Sequence, residues 1–362
     1  MSRIFLASAL AAASAYQIPL SGRSQRIRMA AVAPTLPAAA ELDWRPDGYE
    51  TWTWKVDGGY EMPNGSPVPD INVGYIAAGD ANGPPVLLIH GFGASGFHWR
   101  RNIGALADAG YRVYAIDLLG FGATDKPVLE YKAELWRDEC AAFLREVAGC
   151  GPSKRAVVAG NSIGGYTALA LASTHPELVR GCASLNGAGK FAPPEGAEVA
   201  AAEEEPGLVG RAVAALVATL QRAVITASFF VTKQPARIKQ VLQQVYPVYP
   251  KRADDILVAS IQQPAQHPDA AEVFYRIVSR NGSGPPTYVD GLVDALEVPL
   301  LLLWGEQDPW IVSATGDRLQ ALASSLGKAV ERVSVDAGHC PQDEAPEAVN
   351  AALVEWMRRL PE

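Results

Sequence analysis

Only four cysteines occur in 362 residues, at positions 140, 150, 182 and 340. That is too few to staple a chain of this length, so a disulfide scaffold is excluded and a reducing or neutral compartment is the default. Histidine is almost as scarce, with five copies, and neither residue type recurs at a metal-ligand spacing, so no metal and no cofactor is expected. Positive charge is not in excess: 31 basic against 39 acidic residues give a formal charge of −8. That balance leaves no electrostatic footprint for nucleic acid. Acid is itself missing from the first 40 residues, where Arg3, Arg23, Arg26 and Arg28 stand alone until Glu41. The apolar run Ile4 to Tyr16 covers 13 residues, too short to span a bilayer. It suits a signal-peptide core ending at Ala13-Ser14-Ala15-Tyr16, followed by a Ser- and Arg-rich stretch of transit-peptide character. Residues 1–40 therefore read as a targeting presequence.

What is abundant is apolar residue, at 49%, enough for one large core and a smaller lobe. Strand and helix patterns alternate from Tyr49 to Asn186: strands at Tyr49 to Lys55, Ile71 to Ala77, Val86 to Ile89, Arg112 to Ile116, Ala156 to Ala159 and Gly181 to Asn186, with helices at Phe97 to Ala109, Lys132 to Val147 and Ile163 to Thr174. Such alternation predicts a mostly parallel sheet with helices on both faces. From about Lys190 to Asp290 no strand pattern is found. Leu208 to Thr232, Ala236 to Val245 and Ala253 to Ile261 carry helical periodicity between prolines. The expected organisation is a presequence (1–40), a first core part (41–188), a helical cap insertion (189–290) and a second core part (291–362). Leu208 to Val231, rich in Ala, Val, Leu and Phe, reads most simply as the underside of a packed lid. An apolar lid favours a greasy substrate over a sugar or a peptide.

Gly160-Asn161-Ser162-Ile163-Gly164 follows the apolar run Arg155 to Ala159 and opens an Ala-rich helix, the pattern of a nucleophile elbow. Glycines flank the serine because side chains at 160 and 164 would collide with the neighbouring strand and helix. A serine nucleophile needs a base, a group to orient that base, and donors for the oxyanion. His339, on a Gly-containing loop after the short strand Val333 to Val335, is the candidate base. His98 and His175 fall in helix-like contexts and His267 in a Pro-rich connection. Asp308, on the loop leaving the apolar strand Val298 to Trp304, is the candidate orienting acid, with Glu306 as its rival. The strand Pro85 to Ile89 breaks into His90-Gly91-Phe92-Gly93, a Gly-rich loop that would bring the backbone N–H of Phe92, with that of Ile163 after the elbow, onto the oxyanion; His90, Gly91 and Trp310 are the candidate substrate-binding residues. For His90 a bracing hydrogen bond is the stronger reading than proton transfer. Cys340, beside His339, is a rival nucleophile but lies on no elbow. The chain order Ser162, Asp308, His339 is that of the α/β-hydrolase fold.

The motifs go further than the triad. Gly91-Phe92-Gly93-Ala94 with His98-Trp99-Arg100, Tyr114 to Gly122 with Asp125-Lys126-Pro127, Asn161 to Gly165, Trp304-Gly305-Glu306 with Asp308-Pro309-Trp310, and above all Gly338-His339-Cys340-Pro341-Gln342-Asp343-Glu344 resemble the plastid branch of the α/β-hydrolases that contains pheophytinase and chlorophyll dephytylase. The resemblance spans about Tyr49 to Arg359, departing at the Met62 to Asp70 insert and across the cap. It implies a serine carboxylic ester hydrolase acting on the phytyl ester of chlorophyll or its Mg-free form, with Ser162, His339 and Asp308 as triad. The other readings are a plastid lipase or galactolipase, a general carboxylesterase, and a hydrolase-fold receptor for a small apolar ligand. Epoxide hydrolase and dehalogenase chemistry is disfavoured, because those branches carry aspartate at the elbow. The leader resembles the bipartite presequence of algae with secondary plastids, which implies a plastid location; secretion is the alternative. A small apolar ester is the expected partner, with peripheral thylakoid contact made through apolar cap residues, since the net negative charge would be repelled by anionic lipid.

Overall fold

The structure, a computed structural model, describes residues 44–45, 48–56, 59–193, 208–279 and 287–361. The leader, 1–40, lies outside them. One eight-stranded sheet runs in the order β1-β2-β4-β3-β5-β6-β7-β8, built from β1 (Tyr49–Trp54), β2 (Ile71–Ala78), β3 (Pro85–Ile89), β4 (Arg112–Ile116), β5 (Ala156–Asn161), β6 (Val179–Leu185), β7 (Leu300–Gly305) and β8 (Val330–Val335). The pairs β1–β2 and β2–β4 are antiparallel, and every later pair is parallel. Every residue of β3, β5 and β7 is buried, as strands covered by helices on both faces require. The edge strands β1 and β8 are largely half-buried or exposed, each with one fully buried residue at its end.

The helices are α1 (Ile103–Asp108), α2 (Ala133–Glu146), α3 (Ile163–Thr174), α4 (Leu208–Thr232), α5 (Pro235–Val245), α6 (Asp255–Gln262), α7 (Ala270–Ser279), α8 (Val289–Asp294), α9 (Ser313–Ser325), α10 (Pro341–Glu344) and α11 (Pro346–Arg358). The expected single helix from Phe97 to Ala109 is two pieces, a 3-10 turn at Gly96–Trp99 and then α1. At the junction Asn102 is fully buried and donates to Asn350 Oδ1 at 2.7 Å. Helix α7 was not legible in the pattern: Pro264 and Pro268 suggest a connection, but they precede the helix, where proline is tolerated.

Helices α4 to α7 stand between β6 and β7 in the chain. The expectation that Leu208 to Val231 forms the underside of a packed lid is met only from Val224 on, where Val224, Ile225, Ser228, Phe229 and Val231 line a cavity, and is corrected over 214–223. Leu216 (61% exposed), Leu220 (58%), Val224 (56%) and Val231 (61%) face solvent, and only Ile225 and Phe229 are buried on that helix among the described residues. Four residues separate the buried pair, which is enough for one narrow contact face, and this face meets α7 through Phe229 and Phe274, whose rings lie 5.3 Å apart.

A polar network ties α5 to the core beneath it. His98 Nε2 meets the Tyr246 hydroxyl at 2.7 Å, and that hydroxyl donates to Asp343 Oδ2 at 3.0 Å. Arg100 donates to Asp343 and to Asp254, each at 2.8 Å. Burial pushes His98 down from its ordinary value of 6.5 to about 4, against the pull of Asp343; burial lowers His90 as well. Both imidazoles are therefore neutral in the folded chain near pH 7. A histidine depressed on folding contributes stability that is present above its unfolded value and lost as pH falls through its folded value. The chain is thus expected to lose roughly 3 kcal/mol through His98 between pH 6.5 and 4. Urea unfolding at stepped pH checks this: His98→Gln should flatten the acid limb, and an unchanged slope would put the titration elsewhere.

Candidate active site

Strand β5 passes into α3 at Ser162, whose φ of 57° and ψ of −119° lie where L-residues are rarely found. Such a conformation costs about 1–3 kcal/mol and persists only where its surroundings enforce it. Here the Ser162 N–H donates to Leu185 O at 3.1 Å, and the Ser162 carbonyl accepts from Ala188 at 2.8 Å and Tyr166 at 3.2 Å. The glycines make the turn possible. A Cβ at 160 would stand 2.0 Å from the Gly164 carbonyl oxygen, and one at 164 would stand 2.3 Å from that of Ile89.

His339 follows β8 on a loop held from both sides. Its N–H donates to Val245 O at 3.0 Å, and its carbonyl accepts from Asn161 Nδ2 at 2.8 Å. The neighbour of Ser162 thus fixes the backbone that carries the histidine. His339 Nδ1 lies 2.7 Å from Asp308 Oδ2, with both side chains buried. Asp308 Oδ1 accepts the N–H groups of Trp310 at 2.7 Å and Ile311 at 3.0 Å. Its Oδ2 also accepts from Asn186 Nδ2 at 2.9 Å. With the carboxylate acceptor-only, His339 Nδ1 must carry the proton toward it, leaving Nε2 as the basic nitrogen.

The rival acid is committed elsewhere. Glu306 accepts from Ser313, Ser334 and Arg332. Partial burial raises its pKa, but these hydrogen bonds and the Arg332 charge outweigh that and hold it below the usual carboxylate range. Cys340 is buried, and its thiol is pushed well up, first by burial and then by Asp308, Asp343 and Glu344. A thiol so held is protonated and a poor nucleophile.

Ser162, His339, Gly91, Phe92 and Trp310 line one cavity of about 1100 Å³, as does Cys340. The Trp310 ring lies 4.9 Å from that of His339. Gly91 backs onto the serine, where a Cβ would come within 3.2 Å of the Ser162 Cβ. Ile163 opens α3, so its N–H belongs to the first turn, which has no partner within the helix. His90, expected at the substrate, is corrected: it is 0% exposed and is not among the residues lining the cavity. Its Nε2 accepts from the Leu118 N–H at 2.9 Å, so Nδ1 carries the proton and donates to Gly91 O at 2.7 Å. The ring braces the Gly91 loop from below.

Sequence reasoning missed Asn186. With a φ of 43° just past β6, it accepts from the Gly305 N–H at 2.8 Å and donates to Asp308 and to Gly305 O, setting the carboxylate against the end of β7. A lone Asn after a strand reads as an ordinary turn, and only its left-handed backbone separates the two cases.

A mostly parallel sheet carrying serine at the β5–α3 turn, aspartate after β7 and histidine after β8 defines the α/β-hydrolase class. Residues 84–346 match the alpha/beta hydrolase fold family, and the chain belongs to it. Among its relatives is the chloroplastic pheophytinase of Arabidopsis thaliana, 31% identical over 332 residues that cover 81% of this chain and 65% of that protein. The bifunctional epoxide hydrolase 2 of Rattus norvegicus is 40% identical over 120 residues, covering 33% of this chain and 21% of that one. The chain therefore spans less than two thirds of the length of either relative. A thermophilic esterase from Thermogutta terrifontis shares the fold with a TM-score of 0.61 at 21% identity, covering 86% of this chain and 98% of the esterase.

Proposed function

We propose that the chain is a serine carboxylic ester hydrolase that removes the phytyl alcohol from chlorophyll or pheophytin inside a plastid. The observation that carries this reading is the cavity: about 1100 Å³, walled mainly by apolar side chains, with Ser162 and His339 on its surface. That exceeds the ~300–1,000 Å³ usual for drug-sized ligands, and it suits a bulky ester. The pheophytinase relative supports the pigment and the plastid.

In this mechanism Ser162 Oγ attacks the ester carbonyl carbon as His339 Nε2 takes its proton. The backbone N–H groups of Phe92 and Ile163 receive the oxyanion. The intermediate collapses, the alcohol leaves with the proton from His339, and the acyl group stays on Ser162. Water, deprotonated by His339, then attacks the acyl-enzyme and frees the acid. Asp308 holds His339 in the required tautomer throughout, and Asn186 is a positioning residue for Asp308.

The test is turnover by the full chain on chlorophyll a, pheophytin a, a galactolipid and p-nitrophenyl esters of rising chain length. The expected result is release of phytol from a pigment ester with higher kcat/KM than any p-nitrophenyl ester. Fastest turnover on the galactolipid would assign a lipase instead. Tight binding of pigment with no turnover of any ester would assign a receptor.

A further inference from the structure

We propose that the exposed face of α4 docks on an anionic lipid bilayer and turns the mouth of the cavity toward it. Five observations converge. Ala214–Thr232 has a mean hydropathy of 1.6 with 6% of it buried, so an apolar helix long enough to matter energetically lies bare on the surface. Residues 214–224 are exposed all round, and among the exposed apolar side chains Leu216, Leu220, Val224 and Val231, four, four and seven residues apart, line up on one side of the helix, while Ile225 and Phe229 point the other way onto α7. Arg222 on α4 is ion-paired to Glu272 on α7. Spanning the bilayer would tear that packing out, so the helix lies on the surface, in the manner of an interfacial amphipathic helix.

The stripe is continuous with the cavity. Val224, Val231 and Val312 all line it and are all more than half exposed, so they stand at its opening. An apolar ester could pass from the acyl layer to Ser162 without crossing water.

Charge selects the kind of surface. From Leu208 to Ala253 the sequence holds seven cations, Arg211, Arg222, Lys233, Arg237, Lys239, Lys251 and Arg252, and no Asp or Glu, in a chain whose net charge is −8. Arg222, Lys239 and Arg252 are paired to carboxylates. Lys233 and Arg237, at the end of α4 and the start of α5, line the cavity together with Lys190, and none of the described lining residues is a carboxylate. Glu195, Glu198, Glu203, Glu204 and Glu205 precede α4 and lie outside the described residues, more than 20 residues in sequence from Lys233. The net charge of the whole chain argues for salt-insensitive, purely apolar attachment, but the cations that line the cavity, Lys190, Lys233 and Arg237, reverse that expectation locally, because screening confines electrostatics to about a Debye length.

The purpose of this docking rests on the ester-hydrolase reading, but its measurement does not. The full chain is sedimented with phosphatidylcholine vesicles, with or without phosphatidylglycerol, at low and high salt. Binding is expected to favour the anionic vesicles by about tenfold, to weaken with salt and to fall about tenfold in Leu216→Asp/Leu220→Asp, which leaves turnover of a short soluble ester unchanged. Equal binding to both vesicles, or binding untouched by the double substitution, overturns the proposal. The leader could itself hold vesicles, so a local probe decides the surface. All four native cysteines are buried, so Leu216→Cys takes an environment-sensitive dye selectively, with Asp108→Cys on α1 as the control. A blue shift on anionic vesicles at 216 and none at 108 supports the docking. A shift at neither, or wild-type dimers in solution that Leu216→Asp/Leu220→Asp makes monomeric, overturns it, the latter because the stripe would then be covered by a second copy.

Discussion

Ser162→Ala is expected to lower kcat on any ester this chain turns over by about 10⁴–10⁶-fold while leaving KM and the fold nearly unchanged. The direction follows from chemistry: with no hydroxyl there is no acyl-enzyme, and the remaining oxyanion donors and binding surface supply only the residual rate. The fold should survive because alanine keeps the Cβ, and the positive φ at 162 strains alanine and serine alike, so stability should move by no more than about 1 kcal/mol. Single-turnover kinetics beside urea unfolding checks both halves. A variant retaining a tenth of wild-type kcat would remove Ser162 from the chemistry.

Asp308→Asn is expected to cost about 10³–10⁴ in kcat with little change in KM. Its surroundings dictate how. Oδ1 takes two backbone N–H groups, from Trp310 and Ile311, so the amide oxygen of an asparagine must stay there. Its NH₂ is then driven into the place of Oδ2, where His339 Nδ1 and Asn186 Nδ2 already point. Donor would face donor, and His339 is relieved only by moving its proton to Nε2, which abolishes the base. Glu306→Gln should leave kcat essentially where it was, because Glu306 is occupied by Arg332, Ser313 and Ser334. If Glu306→Gln were the crippling change, the orienting acid would be Glu306.

The parts of this architecture that the sequence disclosed are those with local causes. β3 and β7 are unbroken apolar runs because both faces of a central parallel strand are covered. Gly160 and Gly164 betray the elbow because the close approach of backbone leaves no room for a Cβ. Residues whose roles depend on distant partners were not legible. Asn186 and Asp308 are 122 positions apart, and nothing near Asn186 announces the pairing. His90 could be seen to end a strand, but its burial beneath the Gly91 loop comes from the Leu118 N–H, 28 residues on. The direction in which α4 packs is not legible for a related reason. Alanine, valine and leucine fill both of its faces, so hydropathy could not tell which side meets protein, and only the contact with α7 decides it.

The central claim, a serine nucleophile at the elbow between β5 and α3, is tested most directly by trapping it. The full chain is treated with a long-chain alkyl fluorophosphonate, its residual turnover is followed, and the adduct is mapped by peptide mass spectrometry. The account predicts one phosphonyl group per chain, carried on Ser162, with turnover lost in proportion to labelling and both effects slowed by excess ester substrate. Full turnover after exposure to the reagent, or inactivation with the label on Cys340 or any other residue, would contradict it.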